Sequence, residues 1–228
     1  MTYKNIVEAF EGTGLKVRGG FQSTNEYGLG DIQSVVMIGN AGPSMWSRFK
    51  KETDEKQRVE NKHPLDQWTE KIVKEKANKL DAVAIFPFQG PPYYPFQKWA
   101  IKSENLFTSP LGILIHPEYG LWHAYRGALG FTKTINFPVI AKQSIPCENC
   151  TDKPCLTTCP VQAFDKCGFN DGVCATYLKT DEAQKSCMQH NCQARLACPI
   201  GQEYHYGKDH GRFHMEKFLS NRWNNGCL

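Results

Sequence analysis

The sequence predicts an α+β protein in two parts, and three observations lead to this prediction. Residues 64–80 carry apolar side chains at helical spacing. The short apolar runs at 34–38 and 82–86 are typical of buried strands. Of the ten cysteines, none lies in the first 146 residues, and nine lie between residues 147 and 198. A mixed helix–strand part is therefore followed by a part whose chemistry depends on thiols.

The change in composition near residue 145 sets the predicted domain boundary. We predict one domain over 1–143 and a second, cysteine-rich domain over 144–228. The first also contains a short helix at Tyr3–Phe10 and strands at 111–115 and 122–131. The second is expected to close with a helix that packs back on the first domain through one apolar face: Phe213, Met215, Phe218, Leu219 and Trp223.

Composition and charge exclude several classes of protein. With 40% hydrophobic and 22% charged residues, the chain is not a disordered one. No run approaches the ~20 apolar residues of a membrane span, and the first thirty residues lack the apolar segment of a secretory signal. We therefore expect a cytoplasmic protein with no membrane partner. The net charge of +4 is not gathered in a block and gives no support to nucleic-acid binding.

The strongest motif is a compact cysteine run that ends in a proline. Its spacing is Cys147-x2-Cys150-x4-Cys155-x3-Cys159-Pro160. The ligand run of bacterial-type [4Fe–4S] ferredoxins has the same form, with two residues fewer between the second and third cysteines. Tetrahedral zinc is the alternative, because Cys-x2-Cys pairs also suit that ion. Zinc sites usually separate their pairs by a dozen or more residues, however, so the run favours iron–sulfur.

A second, looser group of cysteines predicts a second cluster, and its ending Cys198-Pro199 repeats that of the first run. In two-cluster ferredoxins the cysteine before the proline serves the other cluster. By that rule, one cluster is held by what we call the first thiol set: Cys147, Cys150, Cys155 and Cys198. The other cluster is held by the second thiol set: Cys159, Cys174, Cys187 and Cys192.

Two alternatives remain open for these cysteines. A single cluster on the first run would leave the later cysteines as structural thiols. Cys167 and Cys227 are left over from both sets, although Cys167 could replace Cys174 in the second cluster.

The second domain resembles the twin-cluster domain of the epoxyqueuosine reductase and corrinoid reductive dehalogenase families. The resemblance is carried by the stretch from Cys147 to Phe164 and by the later Cys192-Gln-Ala-Arg-Leu-Ala-Cys-Pro199. It implies a small bacterial-type ferredoxin domain with two [4Fe–4S] clusters. The motif is specific for clusters and not for one enzyme.

The first domain is similar to cobalamin-processing proteins of the cblC type. The stretch Leu114-Ile-His-Pro-Glu-Tyr-Gly-Leu-Trp-His-Ala-Tyr-Arg-Gly127 looks like that family's His-Pro-x-x-Gly-x-Trp…Arg-Gly pattern, and residues 40–46, 63–67 and 90–94 follow its other segments in order. The resemblance implies a nitroreductase-like antiparallel sheet with flanking helices and a bound cobalamin. The fused ferredoxin part is a departure from that family.

Five residues are candidates for the cobalamin pocket. The resemblance implies that His116 faces the corrinoid, although a histidine at a strand end is more often a hydrogen-bonded structural residue. Gly120 would let a ligand approach the backbone. Arg126 lies in an otherwise apolar strand and needs an anion, either a carboxylate of this chain or a ligand phosphate. Tyr93 and Tyr94, on a proline-rich loop, could wall a flat macrocycle or simply pack the loop.

These features predict an iron–sulfur reductase. Electrons would pass through two [4Fe–4S] clusters to a corrinoid, or alternatively a flavin, held in the first domain. The partners implied are an electron-donor protein or reduced carrier and a corrinoid or small-molecule substrate. Two other functions remain possible: a ferredoxin-type electron carrier whose first domain docks a partner, and a cobalamin-binding chaperone.

Overall fold

The computed structural model describes residues 1–24, 27–141, 143–165 and 168–224, with side chains as far as residue 221. Cys167, Cys227 and the side chain of Trp223 lie outside the described residues. In chain order the described elements are α1 (Tyr3–Ala9), β1 (Lys16–Gln22), β2 (Ser34–Ala41), α2 (Ser44–Glu52), α3 (Glu55–Glu60), α4 (Pro64–Lys79), β3 (Val83–Ile85), α5 (Phe96–Ser103), β4 (Phe107–Thr108), β5 (Leu114–Ile115), β6 (His123–Phe131), α6 (Pro154–Thr157), β7 (Phe164–Asp165), β8 (Gly168–Phe169), α7 (Asp171–Leu178), α8 (Asp181–Gln184), α9 (Gln193–Leu196) and α10 (Lys208–Asn224).

One compact unit consists of Met1–Asn105 and His123–Lys142. Its antiparallel sheet has the strand order β1-β2-β6-β3. In the centre of the sheet, Val36 of β2 lies opposite Leu129 of β6. β2 lies between β1 and β6, and every one of its residues is buried. Mixed helices and an antiparallel sheet confirm the α+β fold class.

The helices of this unit complete its core. Phe96 and Trp99 of α5 pack with Phe21, Val35 and Met37, whereas α4 packs on β3 and β6. The predicted helices near 3–10 and 64–80 are α1 and α4, and the strands predicted at 34–38, 82–86 and 122–131 are β2, β3 and β6. The sequence analysis did not predict β1, α2, α3 or α5.

A buried ion pair also lies in this unit. The Arg18 side chain is 2% exposed, and its Nη2 lies 2.5 Å from Oε2 of Glu104. Nη1 of Arg18 donates to the carbonyl oxygen of Asn40, and the Tyr125 hydroxyl donates to the same Glu104 carboxylate. These hydrogen bonds offset the cost of burying both charges.

The other compact unit consists of Leu106–Trp122 and Gln143–Leu228. This division differs from the predicted boundary at 143/144, because the segment Leu106–Trp122 groups with the cysteines. The strand predicted at 111–115 is also shorter than expected. Gly112, with a φ of 75°, lies in a turn in which the Ser109 and Ile113 backbones hydrogen-bond, so only Leu114–Ile115 pairs with β4.

The closing helix α10 contributes to the core of its own unit. Met215 is buried, and Phe218 and Leu219 pack with it against Leu178 and Met188. Cysteines of the second thiol set belong to the same apolar cluster. In this core the thiols supply part of the apolar surface that the second half of the sequence lacks.

Candidate metal centre

The first thiol set gathers around a small cavity. Cys147 and Cys150 lie in the turns before α6, Cys155 lies on α6, and Cys198 follows α9. All four line one cavity of about 20 Å³ together with Ile115 and Leu121. Residues from both stretches of the chain in this unit thus enclose the set.

The second thiol set lines a larger cavity of about 260 Å³. Cys159 follows α6, Cys174 lies on α7, Cys187 follows α8, and Cys192 immediately precedes α9. Apolar side chains from β7, β8, α7 and α10 complete the lining: Phe164, Phe169, Tyr177, Met215 and Phe218.

The two sets are separate groups with the membership that the crossover rule predicts. Cys155 and Cys159 are only four residues apart, yet the single helical turn of α6 directs them to different cavities. Cys198 joins the group of the first run although it lies 39 positions after Cys159. That these thiols ligate clusters stays a prediction.

Backbone amides point at several of the sulfurs. The N–H of Ala163 donates to Sγ of Cys159 at 3.3 Å. Burial raises the pKa of Cys192 and Cys198, and backbone N–H groups of Ala194 and Arg195 at Cys192, and of Ile200 at Cys198, partly counteract that rise. Such donors stabilise a thiolate, and in a cluster site they help to set its reduction potential.

Burial is nevertheless the largest influence on the pKa of these thiols, and it raises that pKa. It raises the pKa of Cys147, Cys155, Cys187, Cys192 and Cys198. The pKa of Cys174 rises to about 12, through burial first and then through Cys192, Cys159 and Cys187. Without a cation these groups are neutral thiols at pH 7, and metal binding would release their protons.

The zinc alternative requires four donors about 2.3 Å from one ion. Among the described residues, no three His, Cys, Asp or Glu side chains meet at a point that could hold a single metal ion. No disulfide is recorded within the described part of the chain, where eight cysteines are free. The thiols surround two cavities in sets of four, and four thiolates can hold either a [4Fe–4S] cluster or a zinc ion.

Two of the five predicted pocket residues lie in the unit that carries the thiols. The imidazole Nδ1 of His116 accepts hydrogen bonds from the backbone N–H groups of Glu118 and Tyr119, at 3.0 and 3.2 Å. Gly120 has a φ of 56°, and the backbone of Ile200 occupies the space of a β-carbon there. The close approach predicted at Gly120 is real, but the chain itself makes it.

The other three predicted residues lie in the first unit. Nη1 of Arg126 is 3.6 Å from Oδ1 of Asp66, so a carboxylate of the chain supplies an anion. Tyr94 packs against Trp99, with 5.4 Å between ring centroids, whereas Tyr93 is 65% exposed. The structure therefore does not bring the five residues into one unit.

Two features escaped the sequence analysis. A cavity of about 630 Å³ in the first unit has an apolar floor that includes Phe10 and Leu15 and a charged rim: Glu11, Lys16, Arg48 and Lys51. In the second unit, His210 and His214 lie together on α10. The spacing of four residues between these histidines is a signal that the sequence does contain.

Comparison with known proteins reveals a likeness of fold. No protein-family model and no curated protein sequence matches the chain. A crystal structure of epoxyqueuosine reductase with a tRNA-Tyr stem loop modified with epoxyqueuosine matches over 92% of this chain and 68% of its own, at 16% identity and a TM-score of 0.53. The fold resembles that of epoxyqueuosine reductase. A selenomethionine-labelled structure of such an enzyme gives the same coverage, with 14% identity and a TM-score of 0.52.

Within the described residues, no helix is both long enough and apolar enough to cross a bilayer.

Proposed function

We propose that this chain is an iron–sulfur reductase that holds two [4Fe–4S] clusters, one in each thiol set. The observation that carries the proposal is the separation of eight thiols into two groups of four around separate cavities. The likeness of fold to epoxyqueuosine reductase supports it. When bound, such clusters supply one-electron transfer.

The chain's own residues contribute ligands, apolar walls and hydrogen bonds. The thiols of both sets would bind the irons as thiolates. Leu121 and Phe164 help to exclude water from the two cavities, and the backbone amides near Cys159, Cys192 and Cys198 stabilise negative charge on sulfur. Electrons would come from a donor protein or a reduced carrier.

A corrinoid in the first unit is the proposed electron acceptor, on the resemblance of residues 33–130 to cobalamin-processing proteins. A flavin is the second candidate, and the 630 Å³ cavity favours it. That volume is within the ~300–1,000 Å³ of small-molecule sites. Its apolar floor suits a flat ring system, and Lys16 and Lys51 on its rim suit a phosphate.

Cluster content tests the proposal directly. Anaerobically purified, fully loaded protein is expected to contain about eight iron and eight acid-labile sulfide per chain. About four iron would reduce the proposal to one cluster, and stoichiometric zinc would overturn it.

Ligand titrations test the acceptor. Hydroxocobalamin, a flavin mononucleotide and an unmodified tRNA stem loop are each titrated into the reduced protein and followed by absorbance and by retention on gel filtration. Reduction of bound cobalamin supports the corrinoid acceptor. Retention of flavin without retention of cobalamin supports a flavin acceptor in the 630 Å³ cavity instead. Binding of cobalamin without reduction identifies a chaperone. If the protein retains neither cobalamin nor flavin but still passes electrons to another protein, it is an electron carrier. Retention of the stem loop alone would contradict the expectation of no nucleic-acid binding.

A further inference from the structure

Two histidines on α10 form a hydrogen-bonded pair inside the second unit. The Nε2 atoms of His210 and His214 are 3.0 Å apart. His210 is fully buried, whereas His214 is half-buried. Two imidazole nitrogens at this distance require a single proton between them, so one ring donates and the other accepts. The pair can hold one extra proton, but a second would place two N–H donors against each other.

A chain of ring contacts leads from the pair to the wall of the cavity of the second thiol set, which Arg195 lines. The ring of Tyr206 stacks on His210, with 3.8 Å between their centroids. The guanidinium of Arg195 lies 4.8 Å from the Tyr206 ring, and Arg195 belongs to α9, the helix between Cys192 and Cys198. Arg195 itself is held by a hydrogen bond to the carbonyl oxygen of Leu121.

The helix itself provides a second connection. Met215 follows His214 directly in the chain, and its side chain lines the cavity of the second thiol set. A charge added in that cavity therefore lies against the helix that carries the histidine pair, of which His210 is fully buried. In such surroundings the electrostatic interaction is strong.

We propose that the His210–His214 pair takes up one proton from solvent when the cluster of the second thiol set accepts one electron. The inference rests on the proposed function. The electron comes from a low-potential one-electron donor, and the proton comes from water. One N–H bond forms on the pair, and the charge in this part of the protein is conserved.

The surrounding charges favour this coupling. Burial disfavours a charged imidazole, and the Arg195 guanidinium on the far side of the Tyr206 ring disfavours it too, so a negative charge added to the cavity is what would favour uptake of a proton. His205, in the segment before α10, has its pKa lowered by burial and by Arg195 in the same way. The titratable and charged groups on the elements around the pair lie on α10 (Lys208, Asp209, Arg212, Glu216 and Lys217), on α7 (Asp171, Cys174 and Tyr177), on α9 (Arg195) and in the adjoining segments (His190, His205 and Tyr206).

Redox titration at a series of pH values tests the proposal. The holoprotein is titrated with dithionite and mediators between about pH 6 and pH 8, around the ordinary histidine pKa of about 6.5, and each cluster is followed by electron paramagnetic resonance. One cluster is expected to change its midpoint potential by up to about 59 mV for each tenfold change in proton concentration. Potentials that do not vary with pH in the unmodified protein would overturn the proposal, whatever the variants do.

Three variants locate the proton. His210→Gln and His214→Gln keep a hydrogen-bonding side chain but remove the titration, and the pH dependence is expected to disappear in both. Arg212→Gln is the control, because it removes a charge from the exposed side of the same helix, where Arg212 pairs with Glu216; it should keep the pH dependence. Iron and sulfide are counted in every sample. An unchanged pH dependence in the histidine variants with full cluster content contradicts the proposal, whereas absence of clusters from the unmodified protein contradicts the proposed function itself.

Discussion

Gly120 packs its Cα against the backbone carbonyl of Ile200, in the space that a β-carbon would occupy. Ile200 is the second residue after Cys198. Gly120 also ends a short turn in which its backbone pairs with that of His116. The contact fixes this turn against the loop that carries the last cysteine of the first thiol set. It explains physically why Leu106–Trp122 belongs to the thiol-bearing unit.

Gly120→Ala is expected to destabilise this unit by more than the ~1–3 kcal/mol that a positive φ costs a non-glycine residue. The added methyl group must displace the Ile200 backbone, so iron should also be lost from the first thiol set. Gly112→Ala is the matched control, because Gly112 has a φ of 75° and no atom within 4 Å of the added carbon. Thermal melting and iron analysis of both variants provide the measurement, and equal losses would show that the contact with Ile200 is unimportant.

Double substitutions test the crossover of the cysteines. Cys159→Ser with Cys174→Ser removes two members of one thiol set, so about four of eight iron atoms should remain. Cys155→Ser with Cys159→Ser removes one member of each set, and both clusters should be lost. If each cysteine run held its own cluster, the two results would be exchanged. Iron and sulfide counts on anaerobic protein distinguish the two assignments.

Cys150→Ala is expected to damage folding as well as redox activity. The thiol-bearing unit has little apolar surface of its own, so cluster binding contributes to its folding free energy. Limited proteolysis should then cut within residues 143–221, and the melting temperature should fall. Thr151→Ala, at the exposed neighbouring position, is the control and should keep its iron. Normal melting and protease resistance in an iron-depleted Cys150→Ala protein would contradict this expectation.

Loading of the cluster-free protein should depend on pH. Burial raises the pKa of thiols in both sets, that of Cys174 to about 12, so their protons must leave when iron binds. The affinity for iron therefore rises as the pH rises towards the thiol pKa and falls at lower pH. Anaerobic reconstitution at pH 7 and pH 9 should give faster loading at pH 9, with proton release in weakly buffered solution. Equal rates and no proton release would show that the thiols are already ionised.

Breaking the buried ion pair of the first unit should be costly. Arg18→Met leaves the Glu104 carboxylate without its bidentate partner, and the expected loss is about 3–5 kcal/mol of unfolding free energy. Arg48→Met breaks a pair with the same 2.5 Å separation on the surface, to Glu52, and should cost below about 1 kcal/mol. Chemical denaturation of the two variants measures the difference. Similar losses would mean that burial of Arg18 does not control the strength of its pair.

Patterns among residues close together in the chain were sufficient to predict several helices and strands. The helical spacing of Leu65, Trp68 and Ile72 predicted α4, and the apolar run 34–38 predicted β2, because each element must bury one face or both. β1 was missed, since Arg18, Gly19 and Gly20 interrupt any apolar alternation. The spacing of the cysteines and the two Cys-Pro endings also predicted the grouping of thiols that the structure has, although ligation of clusters remains to be tested.

The sequence by itself determined which residues form the main helices and strands and how the thiols divide into two sets, because side-chain period and ligand spacing are properties of neighbouring residues. Only the tertiary structure decided which distant groups meet. Nothing in the sequence states that Ile200 will fill the space beside Gly120, that Asp66 will approach Arg126, or that Arg195 will donate to the carbonyl oxygen of Leu121. Such contacts depend on the packing of segments far apart in the chain, so they have no local pattern by which they could be predicted.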